Sequence, residues 1–212
     1  MVIKREALPL HPILLQSFAV IDQEIGKHNF SADEYAIVRR VIHSTADFEF
    51  AQLIRFSNNA IESAIAAIQR GTPIITDVSM VKQGVSTLVS QTFNNPLISA
   101  VEQAPIAKSG KTRTETGLLK CLEQFPDAIY VIGNAPTALL ALCAELPSLA
   151  VQPAIVIGAT VGFISVVESK AALAQTSLPQ IRIEGRKGGS PAAAAIVNAL
   201  MVLAWEQLTI NN

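Results

Sequence analysis

Ala128–Ile129–Tyr130–Val131–Ile132–Gly133–Asn134–Ala135–Pro136 decides the fold. Its first five residues are uncharged and mostly apolar, a run too short for a core helix but suited to a strand buried on both faces. Gly133 and Asn134 break the run, and Pro136 stands where a helix can begin. Thr137–Glu145 is helical in composition and stops before Pro147. The same strand, glycine turn and helix recur downstream. Ala154–Ile157 leads through Gly158–Ala159–Thr160–Val161–Gly162 to a helix over Val166–Ala174. Ile181–Ile183 leads through Gly185–Arg186–Lys187–Gly188–Gly189 to an apolar helix, capped by Ser190 and running through Ala204. Upstream, Pro73–Asp77 is a short buried strand with a helical stretch around Met80, and Thr112–Gln124 is a helix. Strands alternating with helices through short connections predict a parallel sheet covered on both faces.

The N-terminal third is helical. Leu14, Phe18, Ile21 and Ile25 recur at helical spacing. Ser31 with Glu34 three residues on makes a capping box, and the apolar positions Ile37, Val38, Val41 and Ile42 run up to His43. Ser44–Thr45–Ala46–Asp47 is a polar break. Ser57 caps a further helix over Asn58–Arg70, ended by Gly71. The expected architecture is α/β: one three-layer αβα domain over residues 1–212, with a mostly parallel sheet and an N-terminal helical layer.

The chain has 16 basic and 17 acidic residues, so its net charge of −1 draws it to neither nucleic acid nor an acidic membrane. Charged residues are only 16%, against roughly 25% in soluble domains. Such a surface suggests that a second copy covers part of it, and the Ser190–Ala204 helix, apolar nearly all round, is the expected contact of a homodimer. Cys121 and Cys143 form neither a disulfide framework nor a zinc quartet, and His11, His28 and His43 have no metal-ligand spacing, so no metal is expected. Met1–Arg5 is followed by Glu6, Pro9 and Pro12 rather than an apolar leader segment. The uncharged runs Ala128–Ala144 and Leu149–Val167 are broken by Gly, Asn, Gln and Pro. A cytoplasmic protein without a membrane span is expected.

Ligands of such sheets bind outside the carboxyl ends of the strands. Four turns there are rich in glycine or polar residues: Thr76–Met80, Ile132–Pro136, Gly158–Phe163 and Gly185–Ser190. They let backbone N–H groups approach a ligand, with helix N-termini behind them that favour anions. Nucleotide motifs fail. Ser109–Gly110–Lys111–Thr112 resembles the end of a phosphate loop, but Pro105 occupies the position of its first glycine. Ser165 does not lie in a hydrolase G-x-S-x-G turn. His43 follows Arg39 and Arg40 and can exchange protons near neutral pH; Asp47, four residues on, could orient its ring if the helix continues. Arg40, Arg113, Lys120, Arg186 and Lys187 suit an acidic small molecule.

These residues carry a family resemblance. The segments Gln16–Phe18, Arg40–Phe48, Gly71–Val81, Ile132–Leu139, Gly158–Lys170 and Gly185–Ser190, in this order and spacing, are similar to those of the precorrin-8X and cobalt-precorrin-8 methylmutase family. Ala46 stands where the family often has Gly, and Thr160 where it often has Pro. The resemblance implies an isomerase of cobalamin biosynthesis that moves a methyl group from C-11 to C-12 of a corrin precursor. The product is hydrogenobyrinate or its cobalt form, cobyrinate, and no cofactor is required. It implies His43 as the catalytic residue and Ser17, Arg40 and Arg113 as substrate contacts. The rim turns add Asp77, Met80, Asn134, Ala135, Gly162, Phe163, Arg186, Gly188, Gly189 and Ser190. The competing reading is a carrier that binds an acidic corrinoid without turnover.

Overall fold

The computed structural model describes residues 11–210; the reading of Met1–Pro9 lies outside them. Six strands form one sheet: β1 (Ile54–Phe56), β2 (Ile74–Thr76), β3 (Leu97–Ser99), β4 (Ile129–Ile132), β5 (Ile155–Gly158) and β6 (Gln180–Ile183). Their order is β1-β6-β5-β4-β2-β3. All neighbours are parallel except β1, which runs antiparallel to β6 with Arg55 opposite Arg182.

The period-two alternation of each strand separates two cores. Ile74, Ile129, Val131, Ile155, Ile157, Ile181 and Ile183 join the cluster formed with α1 (Pro12–Glu24), α2 (Ala32–Thr45), α4 (Ala60–Gln69), α5 (Ser79–Gln91) and α9 (Ser190–Ile210). Ile75, Tyr130, Ile132 and Val156 face α6 (Arg113–Gln124), α7 (Pro136–Glu145) and α8 (Val166–Ala174). The expected three layers are present. The short α3 (Phe50–Leu53) leads into β1.

Helix starts follow local chemistry. Ser31 and Glu34 make both bonds of the capping box, and Thr112 Oγ1 accepts from Glu115 N. Ser57 does not cap α4: its hydroxyl accepts from Gln180 N at 2.8 Å and so binds the β1 edge to β6, while Asn59 begins α4 in the left-handed region. α9 corrects a larger expectation. Ala192–Val197, Ala199–Met201, Leu203 and Ala204 are buried within this one chain, because α2, α4 and α5 pack around α9. A helix apolar on every side here needs no second copy to cover it. On length and composition alone it would pass for a membrane span, but 61% of that apolar window is buried inside the fold.

Candidate active site

The chain leaves β2 for α5 on one face of the sheet and leaves β4 for α7 on the other. β2 and β4 are neighbours, so a crevice opens between their carboxyl ends, the usual ligand position in an open sheet. Here the protein's own carboxylate occupies it. Asp77 is fully buried, and its Oδ1 accepts from Val78 N at 2.9 Å and Gly133 N at 3.0 Å. Its Oδ2 accepts from Asn134 N at 2.7 Å and Ala135 N at 2.8 Å. Burial raises this carboxyl above its ordinary value, and the four N–H donors pull it down. Asp77, read from sequence as a substrate contact, therefore has no free surface for a substrate. The N–H groups of Asn134 and Ala135 at the head of α7 are likewise taken. The anion favoured by that helix terminus is internal, and it holds the turn after β4 against the turn after β2.

Two further turns complete the rim. Gly162 (φ +135°) and Ser165 (φ +58°) bracket Phe163 and Ile164, which are 82% and 83% exposed. Met80 on the first turn of α5 is 69% exposed. The Gly185–Ser190 turn lies alongside, joined by Gly162 N to Arg186 O at 3.3 Å and by Gly189 N to Ala159 O at 2.8 Å. Gly188 has φ +155°, and a Cβ there would stand 2.4 Å from the carbonyl oxygens of Ala159 and Thr160. Only glycine lets the two turns approach so closely. The Arg186 guanidinium lies 5.7 Å from the centroid of the Phe163 ring. The rim thus offers large exposed apolar side chains beside a cation, a surface suited to a flat apolar body carrying negative groups.

The second half of the site lies on α1 and α2. Phe18 is its centre: the His43 ring meets it edge to face at 5.6 Å, and the Arg39 and Arg40 guanidinium groups lie 4.3 and 6.0 Å from its centroid. Arg39 is paired with Asp22, whereas burial lowers the pKa of Arg40. Ser17 precedes Phe18, and its hydroxyl donates to Ile13 O at 2.9 Å. His43 is exposed on the last turn of α2. Ala46 ends the helix with φ +52°, the conformation that Gly adopts without strain. The chain therefore turns away before Asp47, which makes no bond to His43. Asp47 instead accepts from Lys187 Nζ, and so does Glu49 at 2.7 Å. Lys187 is thus committed to these two carboxylates rather than to a ligand, and the contact ties the end of α2 to the glycine turn that carries Arg186.

Arg113 stands apart. Its Nε and Nη2 donate to the carbonyls of Ala104 at 2.9 Å and Val101 at 3.2 Å, which anchors the segment after β3. A cleft of about 640 Å³ opens between α3, β1 and the α1–α2 connection, lined by His28, Phe30, Phe48 and Phe56. None of the expected site residues lines it.

Sequence reading passed over Lys170. It shares a helical stripe with Val166 and Leu173, both buried, and that spacing was the available signal. Its side chain is 3% exposed and donates to Gly185 O at 2.9 Å and Lys187 O at 2.7 Å. Burial lowers its pKa to about 8 from 10.5. Between those values the unfolded chain holds the proton that the folded chain has lost, so this group's contribution to stability rises with pH. Below about pH 8 it is protonated in both states. The neutral amine still has two hydrogens for two carbonyls. The stability of the natural protein relative to Lys170→Met should therefore grow by on the order of 1–2 kcal/mol between pH 7 and pH 9.5. Urea denaturation at the two pH values measures it, and a constant difference would contradict the assignment.

The fold is that of an α/β protein with an open, mostly parallel sheet, and its strand ends present large exposed apolar side chains beside a cation. The chain belongs to the precorrin-8X methylmutase family, whose model matches residues 12–203. It is 55% identical to a cobalt-precorrin-8 methylmutase of Synechocystis, over 94% of this chain and 99% of that protein. It is 37% identical to a precorrin-8X methylmutase of Pseudomonas aeruginosa, over 89% and 93%. The crystal structure of the Thermus thermophilus precorrin-8X methylmutase superposes with a TM-score of 0.85 at 39% identity, covering 92% of this chain and 96% of that one. The chain is an isomerase, an intramolecular methyl transferase of cobalamin biosynthesis, and the carrier reading finds no support among these relatives.

Proposed function

We propose that this enzyme moves the methyl group of cobalt-precorrin-8 from C-11 to C-12, yielding cobyrinate, with His43 as the general acid. The observation that carries the proposal is the placement of His43. It is exposed at the end of α2, and its ring packs edge to face with Phe18, the ring that the Arg40 guanidinium also approaches. The residues just after it are joined through Lys187 to the turn bearing Arg186. In this reading His43 gives a proton to the conjugated ring system as electrons move with the methyl group, and recovers it afterwards. Atoms balance without an external donor, since the methyl group only changes carbon. Arg40 and Arg186 meet the substrate's carboxylates, and Met80, Phe163 and Ile164 meet its ring. The choice of the cobalt form is supported by the 55% identity to the Synechocystis enzyme. Anaerobic assays of both precursors, followed by absorbance, test it. The cobalt form should turn over faster, and a preference for metal-free precorrin-8X would reverse the choice.

We further infer that the enzyme works as a cytoplasmic homodimer, without nucleic acid or membrane as a partner. Ile13, Leu15 and Val20 of α1 are each at least half exposed, and they replace α9 as the apolar surface available to a second copy. Cys121 and Cys143 are unpaired, in keeping with a reducing compartment. Light scattering at micromolar concentration should give twice the chain mass of 22.6 kDa. A monomer would refute the dimer.

A further inference from the structure

Among the described residues, two charged side chains are buried: Asp77 and Lys170. Asp77 has four N–H partners, but Lys170 has no carboxylate partner at all, only two main-chain carbonyls. A buried ammonium without a counterion is expensive, so its position needs a reason. The two carbonyls belong to Gly185 and Lys187, the residues on either side of Arg186. This turn contains Gly185 at φ +70°, Gly188 at φ +155° and Gly189 at φ +105°. Three glycines leave such a segment many backbone conformations, and holding one of them requires an external grip. Besides Lys170, the turn is held by Gly162 N on Arg186 O at 3.3 Å, by Gly189 N on Ala159 O at 2.8 Å and by the exposed contact of Lys187 with Asp47 and Glu49, but only Lys170 grips both residues that flank Arg186.

We propose that Lys170 is a positioning residue for substrate binding: by holding the carbonyls on both sides of Arg186, it aims that guanidinium across the rim toward Phe163 and the substrate's carboxylates. This rests on the reading of Arg186 as a carboxylate contact. Lys170 touches no reacting atom, so its removal should raise KM and weaken product binding far more than it lowers kcat. Methionine at this position fills much of the space but donates to neither carbonyl.

The test is a double-mutant cycle in the full chain with Lys170→Met, Arg186→Ala and the pair, titrated with cobyrinate. Losing the Arg186 charge-assisted bond should weaken binding by about tenfold or more. Lys170→Met should weaken it by a similar factor with kcat within about threefold, and the double variant should bind no worse than Arg186→Ala alone. Multiplying effects, or natural affinity in Lys170→Met beside a weakened Arg186→Ala, would overturn the proposal. Natural affinity in Arg186→Ala would instead overturn the assignment of Arg186 to the ligand. Hydrogen exchange of the Gly189 N–H, which the turn protects through its bond to Ala159 O, then decides the Lys170 step without any ligand. Exchange there should quicken at least tenfold in Lys170→Met, and unchanged protection would sink the proposal. Should Lys170→Met fail to fold, Lys170→Gln, polar but too short to reach both carbonyls, carries the same measurements.

Discussion

Asp77→Asn should cost about 3–5 kcal/mol of stability and leave a protein with little activity. The natural carboxylate offers acceptors only, two N–H donors to each oxygen. An asparagine of the same shape keeps one acceptor oxygen and turns an amide NH2 toward two of those donors. Two buried N–H groups then lose their partner and face another donor. Water cannot replace the loss, because the side chain is fully buried. The damage is not confined to stability. Asp77 holds the turn after β4 to the turn after β2, so its loss loosens the rim on which Met80 stands. Equilibrium denaturation at pH 7 measures the first effect and turnover the second. A change below about 1 kcal/mol would mean that the turns hold their places without this carboxylate.

The second large effect concerns chemistry alone. His43→Ala and His43→Asn should lower turnover by about 10²–10⁴-fold, the range expected when a positioned general acid is removed. Affinity for cobyrinate should change little, because carboxylate binding is assigned to Arg40 and Arg186. His43 is exposed and its ring meets Phe18 in an edge-to-face contact, so neither variant should unfold the protein. Asn is nearly isosteric with the imidazole at its inner atoms yet cannot deliver a proton, so it separates proton transfer from packing. Asp47→Asn is a useful control for the geometry of this end of α2. Asp47 pairs with Lys187 and not with His43, so this change should act on the placement of the glycine turn and not as loss of a group orienting His43. Substantial turnover by either His43 variant, in protein free of the natural enzyme, would remove His43 from the mechanism.

Sequence alone determined the elements whose signal is local. β2, β4 and β5 are uninterrupted apolar or β-favouring runs, β6 sets Ile181 and Ile183 around Arg182, and all four are closed by glycine or polar turns that lead into helices. Their alternation was enough to specify a parallel, two-sided sheet and a ligand rim at the strand ends. β1 and β3 were not legible. Each has three residues. β2 is as short, but Asp77 and the start of α5 mark its end; β1 carries Arg55 at its centre, and β3 follows Pro96 directly and runs on into Ala100–Gln103 without a glycine or polar turn. Both are edge strands and take their identity from the neighbour they pair with. The same division runs through the site. The family segments and the exposed end of α2 marked His43, Arg40 and the glycine turns. That Asp77 is a clamp depends on β4 lying beside β2, which brings N–H groups 56 to 58 positions away onto one carboxylate. The expectation that a second copy covers α9 fails for a similar reason. Hydrophobic periodicity reports how much of a helix must be buried, but only the packing of α2, α4 and α5 around α9 decides what buries it. Lys170 and Lys187 are two similar cations in sequence. The fold turns one into the core toward two carbonyls and the other outward to two carboxylates, because a side chain's partners are set by which backbones meet and not by its own residue type.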